Sequence, residues 1–109
     1  MDITIKWVNE DYENFLNSSE VSYDETYTRR AKRHYKQIVN FTELSKKDLK
    51  KAYRFVRRLE AYSDYYTEMG LDNLSDFYAI AYEYTKKEIQ KRENRPESMQ
   101  NKLIIWDWR

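Results

Sequence analysis

Residues 45–70 read SKKDLKKAYRFVRRLEAYSDYYTEMG, and this stretch decides the fold. Its apolar side chains recur at alternating steps of three and four, which is the spacing of one face of an α-helix. Ser45 followed three residues later by Asp48 predicts an N-terminal cap, and Gly70 is typical of the residue that ends a helix. We therefore predict a helix over residues 46–69 that buries Ala52, Phe55, Leu59, Tyr62, Tyr66 and Met69.

The flanking segments carry the same helical period. Residues 24–41 predict a second long helix, whose apolar face consists of Tyr27, Ala31, Tyr35, Ile38 and Phe41. A further helix, from Leu71 or Ser75 to about residue 92, is expected to end before Pro96, because a proline disfavours helical backbone in the residue before it. It buries Leu74, Phe77, Ala81 and Tyr84. Asn9 is a suitable cap for a short helix ending near residue 16.

Both ends of the chain alternate apolar and polar residues, which is the period of a half-buried strand. The alternation covers residues 2–8, with Ile3, Ile5 and Trp7, and residues 103–108, with Ile104, Trp106 and Trp108. The two ends are expected either to pair as a two-stranded ribbon or to lie as extended tails on the helices, and the tryptophans at the C-terminus either complete the core or dock a partner. We predict a mainly α fold, a small antiparallel bundle of three main helices plus a short N-terminal one, in a single domain over residues 1–109.

The composition excludes several kinds of chemistry. The 109-residue chain has no Cys, so it has no disulfide, thiolate metal site or cysteine nucleophile, and its single Gly cannot build a phosphate-binding loop. We expect no cofactor. The N-terminal segment lacks the pattern of a signal peptide and no apolar run is long enough to cross a membrane, which predicts a cytoplasmic protein with no membrane contact.

Aromatic residues must supply much of the core, because aliphatic residues are sparse while the chain has 11 Tyr, 4 Phe and 3 Trp. The tyrosines of residues 62–84 exceed what one helical face can bury. Some of these rings should therefore be exposed, which suggests a surface for homo-oligomer formation.

Charge is sorted into blocks along the chain, although the net charge is only +1. Residues 26–58 hold twelve Lys and Arg against two Asp and Glu, a net charge of +10, whereas residues 1–25 and 59–83 each carry −6. Short connections make consecutive helices antiparallel neighbours, so basic segments should meet at one end of the bundle and acidic segments at the other. Charge runs of this kind are also typical of solvated helix faces, which is the alternative interpretation.

The basic end predicts contact with phosphate groups, since Lys and Arg at helical spacing can follow a nucleic-acid backbone. We predict a non-enzymatic binding or regulatory protein that acts through this surface on nucleic acid or on a nucleic-acid-handling protein. Tyr35 and Tyr53 either stack on bases or lie in the core. The candidate binding residues are Arg29, Arg30, Arg33, Lys36, Lys47, Lys50, Lys51, Arg54, Arg57 and Arg58.

The acidic end predicts an alternative function. Spaced carboxylates can imitate a line of phosphates to a partner protein that recognises charge, as small inhibitors carried by phages and mobile elements do. The residues of such an anti-defence or host-takeover inhibitor are Glu60, Asp64, Glu68, Asp72 and Asp76. The same carboxylates have no histidine among them, so no metal site is predicted.

Arg29 and His34 form an R-x4-H pattern that resembles the nuclease motif of the all-helical HEPN family. The resemblance covers these two residues, and Arg30 stands where that family usually has Asn, Asp or His. It implies an RNase with Arg29 and His34 as the catalytic pair. We expect this enzymatic function less than the two binding functions, because the chain has no other catalytic signature.

Overall fold

The computed structural model describes residues 4–93, and side chains up to residue 91. Its five α-helices are α1 (Ile5–Leu16), α2 (Glu25–Val39), α3 (Phe41–Lys47), α4 (Leu49–Glu68) and α5 (Asp72–Glu93), and a short 3-10 turn, Ser19–Ser22, lies between α1 and α2. The prediction of a mainly α fold is confirmed. No helix in this part of the chain is both long enough and apolar enough to cross a membrane.

Helix α1 corrects the prediction of an extended N-terminal segment. Residues 5–8 are helical, and the helix begins before the predicted cap at Asn9, whose side chain instead accepts a 2.6 Å hydrogen bond from the Tyr35 hydroxyl. A helix places Ile5, Val8 and Tyr12 on one face that packs against the core, with Val8 fully buried. The alternation was misleading because it counted Trp7, which is 41% exposed. The C-terminal half of the predicted ribbon lies outside the described residues.

The connection between α2 and α4 also differs from the prediction. Helix α2 begins at its cap Asp24, whose carboxylate accepts from the Thr26 amide, and it ends at Val39 rather than at residue 41. The predicted turn near residue 43 is the short helix α3, which buries Phe41 and Ser45. Asp48, not Ser45, caps α4 by accepting from the amide of Lys51 at 3.0 Å. Position 45 could not be the cap because its hydroxyl donates to the carbonyl of residue 42 within α3.

The turn from α4 to α5 is built as predicted around Gly70, which has a φ of 76°. The amide of Leu71 donates to the Tyr66 carbonyl and the amide of Gly70 donates to the Thr67 carbonyl, so these two carbonyls in the last turn of α4 are satisfied. A residue with a Cβ would be strained at this φ. The tight turn makes α4 and α5 antiparallel neighbours, and Ser63 bonds across the pair to Ser75.

Helix α5 lies between α4 and α1, and α2 covers the remaining side of the core. The ring of Tyr12 contacts Phe77 and stacks on Tyr35, with centroids 4.0 Å apart, so one aromatic group joins α1, α2 and α5. The prediction of a tyrosine-rich core is confirmed, since Tyr66 and Tyr78 are among the largest fully buried side chains. The predicted apolar positions 31, 38, 41, 52, 55, 59, 74, 77 and 81 are also buried, whereas Tyr27, Tyr35, Tyr62, Met69 and Tyr84 are only partly buried.

Candidate functional site

Helices α2 and α4 are separated by aromatic side chains rather than packed backbone to backbone. The ring of His34 on α2 lies 5.3 Å from Tyr62 and 6.0 Å from Phe55, and the Tyr27 ring lies 5.3 Å from Tyr66. Whereas α4 and α5 approach closely along their length, the backbones of α2 and α4 seldom come within 8 Å. Large rings at the bottom and space above them leave grooves between the two helices.

The first of these grooves, which we call the basic groove, has a volume of about 380 Å³. Four cationic side chains line it, one from α2 and three from α4: Lys36, Lys51, Arg54 and Arg58. The other lining residues are the polar Gln37 and Asn40 and the apolar Leu44 and Phe55. Positions 51, 54 and 58 are spaced by three and four residues, which places them on one face of α4. No carboxylate is among the lining residues.

No ion pair among the described side chains neutralises the charges of the basic groove. Ion pairs elsewhere join neighbouring turns of one helix, such as Arg29 with Glu25 at 3.1 Å and Lys46 with Glu43 at 3.8 Å. None of the four groove cations forms an ion pair with a described carboxylate. Four cations held around one concavity repel one another, and an anion that enters the groove relieves this repulsion.

The other predicted basic residues lie outside the basic groove. Arg29, Arg33, Lys47, Lys50 and Arg57 are exposed, and the break in the helix at residue 48 places positions 47 and 50 on different helices. The structure therefore joins four of the ten candidates, in a narrower site than the broad basic end that the sequence suggested. The sequence analysis did not include Leu44 and Phe55 among the binding residues because they are apolar. It did not include Gln37 and Asn40 because they carry no charge, although they lie one and four positions beyond Lys36.

Arg30 has a different environment, in a second groove that we call the aromatic groove. This groove has a volume of about 480 Å³ and is lined by Tyr27, Arg30, Arg58, Ala61, Tyr62 and Tyr65. The Arg30 guanidinium lies over two of these rings, 5.0 Å from the centroid of Tyr62 and 5.7 Å from that of Tyr27. It also donates a 3.0 Å hydrogen bond to the Tyr66 hydroxyl. Arg58 lines both grooves, so the two are adjacent.

His34 lies in the core, where it is only 3% exposed. Its Nδ1 and the Tyr78 hydroxyl share a 2.6 Å hydrogen bond. Burial, and then the nearby charges of Arg33, Arg58 and Arg30, lower the pKa of His34 to about 4, so the ring is neutral at pH 7. Burial raises the pKa of the Tyr78 hydroxyl. The catalytic pair of Arg29 and His34 stays a prediction, and the placement of these two side chains, one exposed and one in the core, does not favour it.

Four of the five predicted acidic residues occupy the ends of α4 and α5 that flank Gly70, whereas Glu60 lies nearer the middle of α4. Asp64, Glu68, Asp72 and Asp76 are exposed and form no ion pair with a described cation, whereas Glu60 is half-buried. Among the side chains of residues 4–91, no three carboxylate or histidine groups converge closely enough to hold a metal ion.

No protein-family model matches this chain, and no curated protein or solved structure is significantly similar to it. The basic groove and the aromatic groove are therefore the features of the molecule from which a function can be inferred. Their shared wall at Arg58 makes them one extended surface between α2 and α4.

Proposed function

We propose that this protein binds nucleic acid without acting as an enzyme, and that the phosphate backbone occupies the basic groove. The observation that carries the proposal is the set of four cations, Lys36, Lys51, Arg54 and Arg58, around one cavity with no carboxylate in its lining. Phosphate groups are anions that arginine and lysine bind well, and each contact releases counterions from the nucleic acid. The proposed role is regulatory, with binding that blocks or delivers a nucleic acid.

The groove residues also explain why an extended backbone suits the site better than a single anion. Arg54 and Arg58 are one helical turn apart on α4, and Lys36 faces them from α2, so the positive charge is spread along the groove. Gln37 and Asn40 add hydrogen-bonding groups on the α2 side. A chain of phosphates can use all of these groups together, whereas one phosphate can use two or three.

Binding should depend steeply on salt. With about four phosphates engaged, we expect the logarithm of the affinity to fall against the logarithm of salt concentration with a slope of about −3. Fluorescence anisotropy with labelled oligonucleotides, titrated between about 50 and 200 mM salt, measures this slope. Arg54→Glu should weaken binding about tenfold and make the slope shallower by about one.

Lys50→Glu is the matched control for this experiment. Position 50 is on the same helix, one turn before Arg54, and is exposed, but it does not line the basic groove. The two variants have the same net charge, so a difference between them reports the groove and not the total charge. Equal losses in both variants, or an affinity that does not change with salt, would contradict the proposal.

A protein partner that recognises the acidic residues is the second candidate, favoured by the exposed carboxylates beside Gly70 that form no ion pair with a described cation. Reversing Asp64 and Glu68 to Lys is then expected to release a captured partner in a pull-down from host extract, while oligonucleotide affinity stays the same or rises. A partner that is retained by this variant but lost by Arg54→Glu would assign the protein contact to the basic groove instead. This candidate includes an inhibitor that imitates nucleic acid.

A further inference from the structure

We infer that the ligand is a single strand, and that the aromatic groove holds one of its bases while the basic groove holds its phosphates. This inference rests on the proposed function and adds the class of nucleic acid and a second site. Unpaired bases present flat faces that stack on tyrosine rings and on arginine guanidinium planes. A duplex keeps its bases stacked on one another, so it can use the basic groove but not the aromatic groove.

The aromatic groove has the groups that stacking needs. Tyr65 is 44% exposed, its hydroxyl lies 3.1 Å from that of Tyr27, and the two rings meet edge to face at 82°. The hydrogen bond with Tyr65 raises the pKa of Tyr27 to about 12, so the Tyr27 hydroxyl keeps its proton at neutral pH. The charged side chains in the lining of this groove are its two arginines, Arg30 and Arg58. Rings locked in this way lose little conformational entropy when a base stacks on them.

Ala61 leaves the opening through which a base can enter. Arg58, Ala61 and Tyr65 lie at i, i+3 and i+7 along α4, so they are successive on one face. The small side chain of Ala61 is exposed between two long ones and all three line the groove. A planar group that enters there meets Tyr65 on one side and Arg58 on the other.

The two grooves are adjacent, and this adjacency favours a nucleic-acid strand over an unrelated aromatic ligand. Arg58 lines both cavities. Its guanidinium can bind a phosphate on one side while its plane faces a base on the other. A ligand that places an anion next to an aromatic ring at each repeat matches this arrangement, and a single strand has that repeat.

The test compares two labelled strands of about 12 nucleotides, an oligothymidylate and an abasic strand with the same number of phosphates. We expect the protein to bind the oligothymidylate about tenfold more tightly, since stacking on an aromatic side chain typically contributes that much per base. The Tyr65→Leu variant should bind both strands with the affinity that the unsubstituted protein has for the abasic strand. Tyr65→Phe keeps the ring, so it should retain the preference, and circular dichroism checks that both variants are folded.

Trp7→Leu is the control, because Trp7 lies on α1, is 41% exposed and does not line the aromatic groove. It should leave the preference for bases unchanged. Equal affinity of the unsubstituted protein for the two strands would overturn the inference and leave the proposed function standing, as would tighter binding to a duplex of the same length. Failure of every oligonucleotide to bind would overturn the proposed function as well.

Discussion

Acidification from pH 7 to about pH 4.5 is expected to lower the free energy of unfolding by about 2 kcal/mol through His34 alone. Burial and three nearby arginines lower the pKa of His34 to about 4, whereas in the unfolded chain it returns to about 6.5. Between these values the unfolded chain binds more protons than the folded protein. The part of the free energy of unfolding that depends on neutral His34 is therefore fully present above about pH 6.5 and is lost as the pH falls toward 4. Urea unfolding at a series of pH values measures it.

His34→Gln isolates this effect. Glutamine keeps a polar side chain near Tyr78 but cannot be protonated, so the variant should lack the loss of stability between pH 6.5 and 4.5. Burial, Asp76 and Glu10 raise the pKa of Asp11, which titrates with the opposite sign and gains stability as the pH falls. Because Asp11 is present in both proteins, its effect cancels in the difference. Parallel stability curves for the two proteins would show that His34 does not carry a lowered pKa.

The spacing of residues in the sequence indicates that His34 is buried, but the prediction did not include it among the buried residues. Residues 27, 31, 34, 38 and 41 are spaced by four, three, four and three, which is the regular spacing of one helix face. The prediction instead placed Tyr35 on this face, with steps of four, four, three and three. In the structure, Ala31, His34 and Ile38 are buried and Tyr35 is half-buried. Spacing was the better guide, because a buried imidazole is tolerated when a hydroxyl such as that of Tyr78 satisfies it.

The long helices could be predicted, but the grooves between them could not. Periodicity and the glycine at position 70 locate α4 and its end, because both depend on residues close together in the sequence. The grooves depend on how far the rings of His34, Tyr62 and Tyr66 hold α2 from α4, which is a property of packing across the core. Hence the sequence indicated ten basic candidates, and only the structure selects Lys36, Lys51, Arg54 and Arg58 as one site.

Replacing Glu20 with Ala is expected to lower the free energy of unfolding by about 2 kcal/mol. The Glu20 carboxylate, in the 3-10 turn, accepts hydrogen bonds from the amides of Asn73 and Leu74 at 2.9 Å and from the Asn73 side chain at 3.0 Å. These amides belong to the first turn of α5, which has no local cap because residue 71 is a leucine. The carboxylate of Glu20, which is distant in the sequence, thus caps α5, and its negative charge interacts favourably with the positive end of the helix dipole. Chemical unfolding measures the loss.

The loss of stability in Glu20→Ala should arise in the first turn of α5. Amide hydrogen exchange at Asn73 and Leu74 should accelerate in Glu20→Ala more than at positions in the middle of α5, because the first turn opens when its acceptor is removed. Glu20→Gln keeps one oxygen that can accept and should lose about half as much stability. Glu13→Ala removes an exposed glutamate from α1 and should change stability by less than about 0.5 kcal/mol. If Glu20→Ala behaves like this control, the contact does not cap α5.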